Sequence, residues 1–181
     1  MGEIAERYRR RADAFERKVA AVRADQWANQ SPCAGWTARD VVEHVVSLHA
    51  TMLPPVARKL EPADHPLTAF QEARAAIEDV LDDPIAALTE TDTPTGRMTT
   101  EQHIDSVVSD DLVVHGWDLA RATGQDELMD PVDIERLWAI AVAIPPELME
   151  KYRESVYGAE VPVAADAPLQ DRLLGLLGRE P

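Results

Sequence analysis

The sequence has little cysteine, few aromatic residues and a shortage of basic residues. The one cysteine, Cys33, excludes a disulfide bond within the chain and suits the reducing cytoplasm, which is the compartment that we predict. Aromatic residues make up 5% of the chain, whereas hydrophobic residues make up 45% of it. We therefore expect a core built mainly from alanine, valine, leucine and isoleucine side chains.

Basic residues are outnumbered by acidic ones, 18 to 33, which gives a formal net charge of −15. Such a surface repels the phosphates of nucleic acids and of anionic lipids, and no basic cluster offsets it. The chain also lacks the run of about 18 apolar residues that a membrane-spanning helix needs. These absences argue against nucleic-acid and membrane partners and favour a small molecule, such as a substrate or a thiol.

Alternating strand patterns are missing too, because the apolar residues recur three or four positions apart, as in amphipathic helices. Long helices are predicted over residues 3–24, from Thr37 to Met52, from Pro66 to Leu81 and from about residue 100 to Thr123. Residues 85–98 are predicted to form a mostly irregular connection, and shorter helices follow after Pro131 and over residues 168–177. The pattern predicts an all-α fold, with a helical bundle in residues 1–125 and a small helical extension, residues 126–181, packed on it.

The last long helix carries polar residues on its inner face, in the run DDLVVHGWDLA at residues 110–120. Asp111 and His115 are four residues apart, which brings their Cβ atoms to within about 5–6 Å on one face of a helix. His44 lies on the inner face of the second predicted helix. Two imidazoles and a carboxylate from facing helices suit Zn²⁺, Ni²⁺, Mn²⁺ or Fe²⁺, with coordination positions left open.

The same residues allow a simpler interpretation, in which histidine and aspartate pair with each other as a hydrogen bond in the core. Asp118 lies on the same face and either orients one of the imidazoles, or forms a hydrogen bond within its own helix or a salt bridge with Arg121. Trp36 and Trp117 either line the mouth of a metal pocket or pack against helix ends.

The remaining polar candidates are predicted to lie outside the site. Asp110 is one residue off the inner face and is expected to be solvated, and Cys33 is expected to be a small loop residue. His49, His65 and His103 are expected at the surface.

Two segments, SPCAGWTARDVVEHVV (31–46) and DDLVVHGWDLARATGQ (110–125), together resemble the DinB/YfiT-like metal-binding bundles. More narrowly, they resemble the N-terminal domain of mycothiol-dependent maleylpyruvate isomerase, and residues 161–181 resemble the tail of a stand-alone, mostly uncharacterised branch of that group. The resemblance implies an up-down-down-up four-helix bundle with a divalent metal, zinc being the first choice. The metal ligands would be His44, Asp111 and His115, with Asp111 standing where the isomerase has glutamate.

The resemblance also implies an activity: a metal-dependent transferase, isomerase or hydrolase that uses mycothiol or another small thiol. Residues 125–181 are too few for the separate C-terminal domain of the isomerase, so maleylpyruvate isomerisation itself is not expected. The alternative is a non-catalytic bundle that binds a metal or a small ligand. A homodimer is compatible with both interpretations.

Overall fold

The computed structural model describes residues 2–93 and 96–181, which divide into two compact units, Met1–Asp126 and Glu127–Pro181. The first unit contains α1 (Glu3–Ala20), α2 (Ala38–Thr51), a 3₁₀ turn (Pro54–Val56), α3 (Pro66–Asp82), α4 (Pro84–Ala87), β1 (Glu90–Thr93), β2 (Gly96–Thr99), α5 (Thr100–His103), a π-helical segment (Ile104–Ser109) and α6 (Asp110–Thr123). The second unit contains α7 (Pro131–Ala143), α8 (Pro146–Ser155) and α9 (Leu169–Leu176). Among the described residues, no helix is both long and apolar enough to cross a membrane.

The prediction of a mostly helical chain is confirmed, with one exception in the segment predicted to be irregular. There, β1 and β2 form a small antiparallel sheet in which Thr91 faces Met98. The hairpin is polar and largely exposed, and Arg97 pairs with Glu90 across the strands at 2.8 Å. Hydrophobic alternation therefore could not reveal it, because the hairpin has almost no buried face.

Helix ends follow from local side chains. Thr37 and Asp40 form a capping box at the start of α2, where the Thr37 hydroxyl accepts a hydrogen bond from the backbone N–H of Asp40. The Asp40 carboxylate accepts one in return from the backbone N–H of Thr37 at 2.7 Å. At the other end of the first unit, Gly124 ends α6 with a φ of 65°, a left-handed conformation that favours glycine.

The long helices of the first unit pack in four pairs: α1 with α3, α1 with α6, α2 with α3, and α2 with α6. Polar contacts between side chains show the relative direction of α1 and α3. Arg9 of α1 contacts Asp82 near the end of α3, whereas Glu16, further along α1, contacts Gln71 near its start, so these two helices run antiparallel. In the core between the helices, the rings of Phe15 and Phe70 are in contact. Aliphatic side chains surround them, among them Val41, Val45, Ile77, Ile104, Leu112 and Leu119.

Residues 100–123 form one continuous helical run, but its middle is not an ordinary α-helix. The segment Ile104–Ser109 is π-helical, so its hydrogen bonds close turns that are one residue wider than those of α5 and α6. The wider turn changes which side chains face the neighbouring helices just before Asp110 and Asp111.

In the second unit, α7 packs against α9 around Leu137, Leu173 and Leu174. Arg172 of α9 lies over the Trp138 ring of α7, 4.6 Å from its centroid. The segment VPV at 161–163 packs on α9, where the Val161 N–H donates to the Gly175 carbonyl at 2.9 Å.

Candidate functional site

The facing sides of α2 and α6 bring His44, Asp111 and His115 together. The Nε2 atom of His115 lies 3.4 Å from Oδ1 of Asp111, and the Nε2 atom of His44 lies 3.5 Å from Oδ2 of the same carboxylate. The two imidazole rings are 4.9 Å apart between centroids. One ligand atom from each of the three residues falls within 4.8 Å of the others, so a single ion could contact all three.

These separations suit a metal better than they suit hydrogen bonds. Both nitrogen–oxygen distances exceed the usual range of about 2.7–3.2 Å for an N–H···O hydrogen bond. Ligand atoms held about 2.1 Å from a tetrahedral zinc ion lie about 3.4 Å apart, which is close to the spacing between each oxygen of Asp111 and the imidazole nearest to it. In addition, Oδ2 of Asp111 is a buried oxygen with no hydrogen-bond partner. Although aspartate is one methylene shorter than glutamate, its carboxylate reaches the space between the two imidazoles.

Behind the site, His115 is held by Asp118, which is 0% exposed. The Nδ1 atom of His115 lies 2.9 Å from Oδ2 of Asp118. When Nδ1 carries the proton and donates it to Asp118, the lone pair of Nε2 points towards Asp111. A carboxylate that holds a histidine in this way is the usual partner of a metal-bound imidazole.

Cys33 is a loop residue, as expected, but its thiol lies beside the site. Its Sγ atom donates a hydrogen bond to Oδ2 of Asp118 at 3.3 Å, so the thiol and His115 share one carboxylate oxygen. The loop is shaped by hydrogen bonds of Gln30 and Ser31 to backbone groups, including the Cys33 carbonyl. No spacing signal relates residue 33 to residue 118, so the sequence alone could not reveal this contact.

The two tryptophans differ in their surroundings. The ring of Trp36 lies 4.8 Å from His44 and 5.9 Å from His115 between centroids, and it covers both imidazoles from one side. Trp117 is 2% exposed, and the guanidinium of Arg121 lies 5.0 Å from its ring centroid. The structure thus brings Trp36 to the site, whereas the described ring contact of Trp117 is with Arg121 and not with the histidines.

Burial and charge act in opposite directions at the centre of the site. Burial alone would raise the pKa of Asp111, but the neighbouring imidazoles of His115 and His44 hold the pKa of Asp111 well below its usual range. Burial alone would lower the pKa of His115, but the carboxylates of Asp111 and Asp118 hold its pKa well above its usual value. In the absence of a metal, a proton on His115 keeps these charges balanced, and a metal ion must displace that proton.

Three of the residues predicted to lie at the surface are in fact buried or half-buried. Asp110, expected to be solvated, is buried, and its carboxylate lies 2.6 Å from the Arg11 guanidinium. His49 is 1% exposed, with Nδ1 2.7 Å from the Val45 carbonyl. His103 is half-buried.

The reasons for these corrections are tertiary. Asp110 is buried because its carboxylate forms an ion pair with the buried guanidinium of Arg11 on α1. Nε2 of His49 lies 3.1 Å from the hydroxyl of Tyr8 on α1, which gives the imidazole a polar partner inside the core. His65 is exposed, as predicted.

Comparison with known proteins gives one family and two relatives. The family model described as the mycothiol maleylpyruvate isomerase N-terminal domain matches residues 8–120. Two uncharacterised proteins of Mycobacterium tuberculosis, one from strain CDC 1551 / Oshkosh and one from strain ATCC 25618 / H37Rv, are each 32% identical to the chain over 176 residues, which covers 95% of this chain and 95% of theirs. No solved structure is significantly similar to the chain.

Proposed function

The chain belongs to the family of the mycothiol maleylpyruvate isomerase N-terminal domain, and on that premise we propose that it binds a divalent metal ion through His44, Asp111 and His115. One observation carries the proposal. The two Nε2 atoms lie 3.4 Å and 3.5 Å from the oxygens of one carboxylate, and the oxygen nearer His44 is buried without a hydrogen bond. Zinc is the first choice, and nickel, manganese and iron are the alternatives.

The proposed scaffold is an up-down-down-up four-helix bundle formed by α1, α2, α3 and the helical run that ends with α6. Pairwise contacts support these directions. Arg7 and Arg11 of α1 pair in the same order with Asp105 and Asp110, which indicates a parallel pair of helices. The antiparallel contacts between α1 and α3 are consistent with the same topology.

Each residue of the site has a distinct proposed role. A bound divalent cation supplies Lewis acidity and lowers the pKa of a water or thiol in an open coordination position. Asp118 orients His115 and keeps Nδ1 protonated, while the more exposed His44 closes the site on its outer side. Trp36 excludes water from one side of the two imidazoles.

The class of reaction that we propose is a metal-dependent group transfer or isomerisation, with a small-molecule substrate and mycothiol or another small thiol as co-substrate. The name of the family supports the thiol. A reducing cytoplasm is the proposed compartment, since such a thiol would be kept reduced there. The second candidate is a non-catalytic bundle that binds the metal alone.

Metal analysis of the purified, untagged protein tests the proposal. We expect mass spectrometry to find close to one equivalent of a divalent metal per chain, either in the protein as purified or after zinc loading and desalting. His115→Ala should lose at least nine-tenths of this metal, because it removes the ligand that Asp118 orients. Asp118→Asn should weaken zinc binding about 10- to 100-fold while leaving the ligands in place. The exposed His65 provides a matched control, since His65→Ala should bind metal as the wild type does.

The outcomes separate the interpretations. Less than a tenth of an equivalent in wild type, even after loading, would exclude the metal site and leave His115 as a buried ion pair with Asp111 and Asp118. Full occupancy together with no turnover on a panel of thiols and electrophiles would favour the non-catalytic bundle over the enzyme.

A further inference from the structure

Asp111 occupies the centre of the proposed metal site, yet few polar contacts hold its carboxylate. Its Oδ2 atom has no hydrogen-bond partner, and its contacts with His44 and His115 are 3.5 Å and 3.4 Å long. The position of the carboxylate must therefore be set mainly by the backbone from which it projects. What fixes that backbone determines whether the three ligands fit one ion.

The neighbouring residues are fixed by a buried arginine. The side chain of Arg11 on α1 is 1% exposed, and its Nη1 atom donates to Oδ1 of Asp110 at 2.6 Å and to Oγ of Ser109 at 2.9 Å. Arg11 thus contacts the last residue of the π-helical segment and the first residue of α6. Charge-assisted hydrogen bonds of this kind are stronger than neutral ones, and burial protects them from screening by salt.

The two adjacent carboxylates face different helices, since neighbouring residues of an α-helix point about 100° apart. Asp110 faces α1, where it meets Arg11, whereas Asp111 faces α2, where it meets His44. The π-helical turn lies directly before this pair of residues. Arg11 therefore contacts the start of α6, where one carboxylate faces α1 and the next faces α2.

We propose that Arg11 is a positioning residue for the metal site, which acts through Ser109 and Asp110 to fix the backbone of Asp111. The proposal rests on the proposed function, since it presupposes that a metal binds at His44, Asp111 and His115. It assigns to α1, which provides none of the three ligands, an indirect effect on metal affinity.

The chain contains a matched control on the same pair of helices. Arg7, one turn before Arg11 on α1, donates two hydrogen bonds of 2.9 Å to the carboxylate of Asp105. This second pair is also an arginine–aspartate ion pair that joins α1 to the same helical run, and Arg7 donates in addition to Glu3. However, Asp105 lies six residues before Asp111 and on the far side of most of the π-helical segment. Its loss should affect stability without moving Asp111.

The experiment removes each ion pair as a unit, because removal of one partner would leave a buried, uncompensated charge. We compare the full-length R11M/D110L and R7M/D105L variants with the wild type, after circular dichroism has shown that they are folded. The dissociation constant for Zn²⁺ is measured by competition with a chromophoric chelator. The visible absorption spectrum of the Co²⁺-loaded protein reports the geometry of the ligands.

We expect R11M/D110L to bind Zn²⁺ at least tenfold more weakly, with an altered Co²⁺ spectrum. R7M/D105L should stay within about threefold of wild type, with an unchanged spectrum. Asp110→Asn keeps an oxygen acceptor for Arg11 and should also stay within about threefold. If R11M/D110L fails to fold, Arg11→Lys replaces it, because lysine keeps the charge but loses the planar donor group. This variant should weaken Zn²⁺ binding at least threefold.

Wild-type affinity and an unchanged Co²⁺ spectrum in R11M/D110L, or in Arg11→Lys where that replaces it, would overturn the proposal. An equal loss of affinity in the two double variants would overturn it as well, since the effect would then be one of general stability. Failure of the proposed function looks different, because in that case the wild type itself binds no Zn²⁺.

Discussion

His49 is buried in the core and is held there as a neutral imidazole. Burial lowers its pKa to about 4, from about 6.5 for a free histidine, and its ring nitrogens contact the Val45 carbonyl and the Tyr8 hydroxyl. Below pH 6.5 the unfolded chain binds a proton at this residue, whereas the folded chain does not bind one until the pH approaches 4. His49 therefore lowers stability as the pH falls through this window.

We predict that metal-free wild-type protein loses about 2–3 kcal/mol more free energy of unfolding than His49→Gln between pH 7.5 and pH 4.5. Urea unfolding in the presence of a chelator measures both values. His65→Gln, at an exposed histidine, should show the same loss as the wild type. An equal loss in wild type and His49→Gln would contradict the burial of a neutral imidazole.

At the same scale, the sequence could predict contacts within one helix but not contacts that depend on another element. The spacing of Asp111, His115 and Asp118 places all three on one helical face, and the structure brings them together. His44 could be added because it lies on the inner face of its own helix. The contact of Cys33 with Asp118 depends on the path of a loop, and helical spacing carries no information about that path.

At the scale of the helix and the strand, α2 carries His44, and its N-cap residue, Thr37, directly follows Trp36. Its first turn depends on the hydroxyl of Thr37, which accepts the hydrogen bond from the Asp40 N–H and donates one to the Asp40 carboxylate at 2.6 Å. The capping box at Thr99 and Gln102 provides a second example at the start of α5. The sequence alone indicates both boxes, because their residues are local and three positions apart.

Replacement of either cap should have a similar cost. We expect Thr37→Ala and Thr99→Ala each to lower the free energy of unfolding by about 1 kcal/mol. Thr37→Ser and Thr99→Ser should retain most of the stability, since serine keeps the hydroxyl group. Urea unfolding at pH 7.5 provides the measurement. Equal stability of Thr37→Ala and wild type would show that the hydroxyl is not needed to begin α2.

The π-helical segment is the feature at this scale that periodicity could not reveal. The apolar spacing predicts one unbroken α-helix from about residue 100 to Thr123, and Asp110 is expected in solvent because it lies one residue off the inner face. The wider turn at Ile104–Ser109 and the buried guanidinium of Arg11 change the surroundings of Asp110. The apolar residues Ile104, Val107 and Val108 keep ordinary helical spacing across this segment, so their positions do not reveal the wider turn.

For the molecule as a whole, the dominant electrostatic feature is the formal charge of −15. Local ion pairs relieve part of it, as where Arg74 contacts Asp13, Glu16 and Glu78. Exposed pairs contribute only about 0–1 kcal/mol each, however, and salt weakens them. With 33 acidic residues against 18 basic ones, repulsion among the remaining carboxylates should exceed these attractions.

We therefore predict that salt stabilises the protein. Raising NaCl from 10 mM to 300 mM at pH 7.5 should increase Tm by a few degrees, which corresponds to about 1 kcal/mol for a chain of this size. Differential scanning calorimetry measures the shift, and KCl at the same concentrations tests whether it is independent of the cation. A fall in Tm with added salt would mean that the ion pairs outweigh the repulsion.

The π-helical segment also has a consequence for how this helix tolerates insertions and deletions. Wherever one residue is removed from residues 104–109, the wide turn should close into an ordinary α-helical one. Each residue of an α-helix accounts for a rotation of about 100°, so the parts before and after the deletion would otherwise have to twist relative to each other. A single-codon deletion within residues 106–108, unlike the same deletion in most of a helix, should therefore keep the helix intact and leave both Asp105 and Asp111 facing their partners.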